Sequence, residues 1–113
     1  MIGRSDPEKT VPAMRLTAGI AQTRIREIAQ ASENVILGMH ARQRMQEREI
    51  FDVDVLRVLR QGFVDGEPES TEFGEWKCKV TLKIRGSRTA GVVTIILHSG
   101  KLFVKTVEWE DVT

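Results

Sequence analysis

A histidine and two arginines recur at intervals of four residues between positions 39 and 50. On an α-helix, residues four apart lie on one face, so His40, Arg44 and Arg48 would form a line. An imidazole titrates near neutral pH and can move a proton to or from a ribose 2′-oxygen or a leaving oxygen. A guanidinium can hold a phosphate and the charge that develops on it. The spacing therefore makes these three residues candidate catalytic residues for phosphodiester cleavage, or ligands for phosphate alone.

The same line of residues also has a structural interpretation. Runs of charged residues usually face solvent, and a histidine in such a run can donate to a nearby carbonyl. Arg44 could pair with Glu47 or with a carboxylate on a strand. Arg48 has the same two interpretations, and its position just before a loop favours the structural one. The spacing alone leaves both interpretations open.

Four cations occupy one face of a predicted strand. From Glu75 onward, apolar and charged residues alternate, which is typical of a strand with one buried face. The cations on the polar face are Lys77, Lys79, Lys83 and Arg85. They could follow an RNA backbone and would give it a salt-dependent affinity. Alternatively, they keep an exposed sheet face soluble and prevent edge pairing.

The other reactive side chains give weaker indications. Cys78 lies in the apolar series of that strand and is expected to be a small core residue rather than a nucleophile. His98, beside a predicted hairpin turn, is a possible second acid. Thr106 faces inward or outward depending on the strand register. One cysteine and two histidines provide no zinc-ligand spacing, so we expect no metal and no cofactor.

Composition restricts the class of protein. The 113 residues are 41% hydrophobic and 29% charged, which fits one globular domain. The net charge is only +1, so any basic surface must be local. The low aromatic content, with no tyrosine, argues against RNA modules that stack bases. We expect a cytoplasmic protein, because there is no signal peptide, no apolar run long enough for a membrane helix and one unpaired cysteine.

The elements that would position these residues follow from periodicity. Helices are predicted over residues 13–30, over 39–48 with Gly38 as N-cap, and from Asp52, the candidate cap, to Gly62. A loop is predicted over 65–71 and strands over 75–85, 91–98 and 101–109. The predicted fold class is α+β, with N-terminal helices packed on an antiparallel meander of three to four strands.

The first helix carries a regular apolar line. Its members are Met14, Ala18, Ala21, Ile25 and Ile28. An isolated helix of this length is marginal in water, so it must dock on something. We expect it to pack against a second copy of the chain in a symmetric dimer, with docking on its own chain as the alternative.

The stretch from His40 to Ile50 resembles the signature H-A-x-x-R-M-x-E-R-x-I of the bacterial domain of unknown function 4258. The resemblance continues through the segment that ends at Gly62 and through Val-Lys-Thr-Val at 104–107, and it covers about residues 35–109. The chain departs from the pattern at Glu49, where the family usually has glycine, and at Gly38, where serine or threonine is common.

The resemblance implies a fold akin to the RelE- and BrnT-type ribonucleases, over a domain of residues 33–113 preceded by an extension of residues 1–32. It implies the toxin of a bacterial toxin–antitoxin pair, with metal-independent RNA cleavage and a cognate antitoxin as partner. Two alternatives stay open. One is a non-catalytic module that binds nucleic acid or protein, and the other is a structural protein of a phage or mobile element.

Overall fold

The computed structural model describes residues 15–111, so Met14 of the predicted apolar line lies outside the described residues. A 3₁₀ turn at Ser32–Asn34 separates the first helix from the first strand. The helices are α1 (Ala18–Ile28), α2 (Met39–Arg48) and α3 (Asp52–Gln61). The strands are β1 (Val35–Leu37), β2 (Phe63–Ser70), β3 (Trp76–Arg85), β4 (Arg88–Ile96) and β5 (Leu102–Trp109).

The five strands form one mixed sheet in the order β1-β5-β4-β3-β2. The strands β2 to β5 are an antiparallel meander, and β1 pairs with β5 in parallel. The α+β class is confirmed, and the four strands of the meander agree with the expected three to four antiparallel strands. The parallel strand β1, which makes the sheet five-stranded, was not predicted. The run of three apolar residues in β1 is too short for periodicity to identify as a strand.

The predicted loop at 65–71 lies largely in β2. Gly66 and Pro68 are usually signs of a turn, but proline is tolerated on an edge strand, where its missing N–H breaks no ladder. The pairing of β2 with β3 shifts register between Asp65 and Glu69, around these two residues. The sequence of β2 therefore resembles that of a loop, because this strand lies at the sheet edge and contains a register shift.

The N-terminus of α2 is confirmed at Met39, with Gly38 as its N-cap. The Gly38 N–H donates to Val104 O at 3.0 Å. A Cβ at Gly38 would lie 2.6 Å from the Phe103 ring and 3.0 Å from Val104 O. The helix starts where it almost touches β5, and a larger residue at position 38 would require the Phe103 ring to move.

Both ends of α3 differ in detail from the prediction. The N-cap is Phe51, not Asp52, and the carboxylate of Asp54 accepts a 2.8 Å hydrogen bond from the Phe51 N–H. At the other end, Gly62 follows the helix as predicted, but its backbone is extended (φ −81°) rather than in the left-handed conformation that glycine often adopts there. Glycine is needed at position 62 because there is no room for a side chain: a Cβ would lie 2.5 Å from Val58 O and 2.7 Å from Thr81 O.

The core lies between one face of the sheet and the apolar sides of the helices. Its largest fully buried side chains are Ile25, Ile50, Leu59, Leu102, Val55, Val58, Val80, Val92, Val104, Val107 and Thr94. None of the helices within residues 15–111 is both long and apolar enough to traverse a bilayer.

Helix α1 docks on its own chain, which was the alternative prediction. Ile25 is 1% exposed within the shared core. Arg26 donates to Gly62 O at 2.7 Å, and Arg60 of α3 donates to Ala29 O at 2.7 Å. This packing accounts for the apolar line without a second chain. A homodimer through α1 stays a prediction, and it would have to use the outer side of the helix.

Candidate functional site

The face of the sheet opposite the core carries the polar half of the predicted alternation. On β3, Cys78 and Val80 are buried, while Lys77, Lys79 and Lys83 lie on the other face. The register aligns Thr81 with Gly91 of β4 and Gly91 with Glu108 of β5. The pairing thus brings a carboxylate of β5 diagonally across from Lys79.

Lys79 is the centre of a charged cluster on this face. Its Nζ lies 2.7 Å from Glu110 Oε1 and 3.0 Å from Glu108 Oε2. Arg48, the last residue of α2, and Trp109 complete the walls of a cavity of about 250 Å³. The Trp109 indole N–H donates to Arg48 O at 2.9 Å, which fixes the end of α2 against β5. We call Arg48, Lys79, Glu108 and Glu110 the charged cluster.

The two carboxyls of the charged cluster have pKa values displaced in opposite directions. The hydrogen bond from Lys79 holds the pKa of Glu108 below its ordinary value, assisted by a hydrogen bond with Glu110 and by the charge of Arg48, against the effect of burial. Burial raises the pKa of Glu110, and its contact with Glu108 adds to this, although Lys79 opposes it. The hydrogen bond to Glu110 raises the pKa of Lys79. Such divergent carboxyl pairs are typical of sites that exchange protons.

Two polar atoms of the charged cluster are buried without a hydrogen-bond partner in residues 15–111. They are Arg48 Nη1 and Glu110 Oε2. The nearest acidic oxygen to Arg48 Nη1 is Glu47 Oε1, at 3.7 Å, which is too long for a hydrogen bond. Buried polar atoms are nearly always paired, so an unpaired donor and an unpaired acceptor on residues that line one cavity distinguish this cluster from an ordinary surface ion pair.

The three helical candidates are separated by the structure. Arg48 lines the cavity, whereas His40 is exposed on the first turn of α2 and is not among the residues of the cavity wall. Eight residues of helix place His40 about 12 Å from Arg48 along the axis. Arg44 donates to Glu47 at 2.6 Å, which was its structural interpretation, and this bond holds the pKa of Glu47 below its ordinary value.

The four strand cations also separate. Lys79 lies in the charged cluster, Lys77 pairs with Glu69 at 3.4 Å, and Lys83 is exposed. Arg85 instead donates to Glu49 O at 2.6 Å and to the Asp54 carboxylate, so it joins the end of α2 to the start of α3.

The remaining candidates lie away from the cavity. His98 Nε2 is 2.9 Å from Phe73 O, and the His98 N–H donates to Glu75, so this residue holds the β2–β3 loop. Thr106 is half-buried on the outer face. Cys78 is confirmed as a core residue, and burial raises the pKa of its thiol to about 11.

Glu108 and Glu110 were missed in the sequence. Each is adjacent to Trp109, a buried residue of β5, so strand alternation could have placed Glu108 on the polar face. Their approach to Lys79, however, depends on the register of β3, β4 and β5. In the described part of the chain, no group of three or more histidine, cysteine, aspartate or glutamate side chains could hold a metal ion.

The family model described as "Domain of unknown function (DUF4258)" matches residues 37–109. Neither a curated protein nor a solved structure matches the chain. The matched range contains three members of the charged cluster, namely Arg48, Lys79 and Glu108. Helix α1 and Glu110 lie outside it.

Proposed function

The chain belongs to the DUF4258 family, and from the charged cluster we propose that it is a small ribonuclease that cleaves RNA without a metal ion. The observation that supports this is the pair of carboxyls with divergent pKa values beside two cations at an open cavity. We further propose that it is the toxin of a bacterial toxin–antitoxin pair and acts in the cytoplasm. The family resemblance supports that role and the cognate antitoxin as its partner.

In the proposed reaction, Glu108 is the general base. Its lowered pKa keeps it ionised, so it can take the proton of the ribose 2′-hydroxyl. The 2′-oxygen then bonds to phosphorus, the bond from phosphorus to the 5′-oxygen breaks, and the 5′-oxygen takes up a proton. Lys79 and the unpaired Nη1 of Arg48 stabilise the charge on the phosphate oxygens. The products are a 2′,3′-cyclic phosphate and a 5′-hydroxyl.

In this proposal, His40 and Arg44 bind the substrate away from the bond that breaks. Their positions along α2 suit contacts to neighbouring phosphates, for which Arg44 would exchange Glu47 for a phosphate. The acid–base role first predicted for His40 is the competing assignment. A His40→Ala variant that raises KM with kcat unchanged fits the phosphate role, and one that abolishes kcat fits the competing role.

The test is a DNA oligonucleotide that contains a single ribonucleotide, with the all-DNA strand as control. We expect cleavage after the ribonucleotide, a cyclic phosphate end, and the same rate in EDTA. Lys79→Gln should lower kcat/KM by about 10²–10³-fold, the usual cost of removing a group that stabilises the transition state. The control Lys101→Gln removes an exposed lysine in the β4–β5 turn and should be active.

The proposal fails if purified protein, freed of any antitoxin, leaves RNA intact between about pH 4 and 9. Binding of RNA without turnover, unaffected by His40→Ala and lost steeply with salt, would favour the non-catalytic module instead.

A further inference from the structure

Gly91 is a glycine in the middle of the central strand β4. It has no positive φ, so no unusual backbone conformation requires it. Glycine weakens a strand interior and often marks a place where another group comes close. A Cβ at Gly91 would collide with Glu110 Oε2 and would lie 3.0 Å from both the Glu110 carboxyl carbon and Lys79 Cε. The carboxyl of Glu110 occupies the space that a side chain at position 91 would fill.

Glu110 is held in this position from two other directions. Its backbone N–H donates to Thr89 O at 2.8 Å, and its Oε1 lies 2.7 Å from Lys79 Nζ. Its Oε2, directly over Gly91, is buried without a hydrogen-bond partner in the part of the chain that the structure describes. One oxygen is therefore fixed by Lys79, while the other is buried over Gly91 and has no partner among the described residues.

On the basis of the proposed ribonuclease function, we infer that Glu110 is the acid that protonates the leaving 5′-oxygen, and that Gly91 is the positioning residue that admits its carboxyl. As the bond from phosphorus to the 5′-oxygen breaks, the Glu110 proton moves to that oxygen and Glu110 becomes a carboxylate. Glu108 has by then taken the 2′-hydroxyl proton. Transfer of this proton from Glu108 to Glu110, which both contact Lys79 Nζ, restores the starting state.

The surroundings of Glu110 agree with this role. Three charged groups face Glu110, namely Lys79 of β3, Glu108 of β5 and Arg48 of α2. Asp65 of β2 lies opposite Lys79 in the strand register. The adjacent outward residues of β4, Thr89 and Val93, carry no charge. Because burial raises the pKa of Glu110 and Lys79 lowers that of Glu108, activity should rise with pH as Glu108 ionises and fall as Glu110 ionises, giving a bell-shaped profile.

The test uses two substrates that differ only in the leaving group. One is a uridine 3′-alkyl phosphodiester, whose leaving oxygen needs a proton, and the other is uridine 3′-(p-nitrophenyl phosphate), whose phenolate leaves without one. Glu110→Gln and Gly91→Ala should each slow the alkyl ester about a hundredfold, which is within the usual range for general acid catalysis. Both variants should cleave the p-nitrophenyl ester within about threefold of the parent. The high-pH limb of the alkyl-ester profile should disappear in Glu110→Gln and move to lower pH in Gly91→Ala.

The matched control is Gly19→Ala on α1, where the added Cβ would meet nothing within 4 Å and both rates should be unchanged. Equal loss on the two substrates would make Glu110 and Gly91 structural and would overturn the inference. If the parent cleaves neither ester, the donor role falls together with the ribonuclease. The positioning role is measured separately, by NMR titration of the Glu110 carboxyl in the unliganded protein. Gly91→Ala should return its pKa towards the ordinary value, and an unchanged titration would contradict the role of Gly91.

Discussion

At Glu49 the chain departs from its family pattern, and the backbone there has an unfavourable conformation. It follows α2 in the left-handed conformation, at φ 55° and ψ 46°, where the family pattern usually has glycine. A residue with a Cβ costs roughly 1–2 kcal/mol in this conformation. Glycine avoids that cost, but part of the gain is offset because glycine loses more conformational entropy on folding. We expect Glu49→Gly to raise the free energy of unfolding by about 0.5–1 kcal/mol, measured by urea denaturation. Glu49→Ala removes the same charge but keeps the Cβ, so it should give no such gain.

Individual side chains were predictable from the sequence as far as local spacing determines them. The line on α2 and the alternation on β3 named Arg48 and Lys79, which the structure brings together at one cavity. Glu108 and Glu110 join them through the pairing of three strands, and no spacing within one strand contains that information. Arg85 was placed with the lysines, but the register shift between Lys83 and Arg85 accompanies its turn towards Asp54.

At the scale of elements, α2 and the long strands followed from periodicity because a helix and a half-buried strand leave different repeats in the sequence. The short strand β1 and the edge strand β2 exist through their pairing with β5 and β3, which is a tertiary effect. The same holds for Gly62. Glycine often follows a helix for its left-handed backbone, whereas here it is required by the close contact between α3 and β3.

That contact gives the prediction at this scale. A methyl group at Gly62 would meet two backbone carbonyls, those of Val58 and Thr81, and neither can move without shifting α3 or β3. We expect Gly62→Ala to lower the free energy of unfolding by about 2–3 kcal/mol. Gly19→Ala, in the exposed first turn of α1, should instead raise it by about 0.5–1 kcal/mol. Urea denaturation of the two variants measures both, and a stabilised Gly62→Ala would show that the junction between α3 and β2 is looser than described.

At the scale of the whole molecule, the boundary predicted near residue 32 does not coincide with a gap in the packing. Ile25 and Ala29 of the segment before it belong to the same core as Leu59 and Val80. The apolar line of α1 was predictable but the surface that it covers was not, because an amphipathic pattern shows only that one side of a helix must be buried. Arg26 and Arg60, which tie α1 and α3 together, donate to backbone carbonyls, and no sequence pattern reveals such partners.

The two sides of α1 can be compared through two isoleucines of the same helix. Ile25 is 1% exposed and Ile20 is 54% exposed, so truncation to alanine removes the same atoms from a packed and from a solvated position. We expect Ile25→Ala to lower the free energy of unfolding by about 2–4 kcal/mol and Ile20→Ala by less than about 0.5 kcal/mol, as measured by urea denaturation.

Sedimentation of the same proteins tests the predicted homodimer. If α1 forms that interface with its outer side, the parent sediments as a dimer and Ile20→Ala shifts it towards the monomer. A parent that is monomeric at micromolar concentration excludes the dimer, and equal destabilisation by the two substitutions would contradict the docking of α1 on its own core.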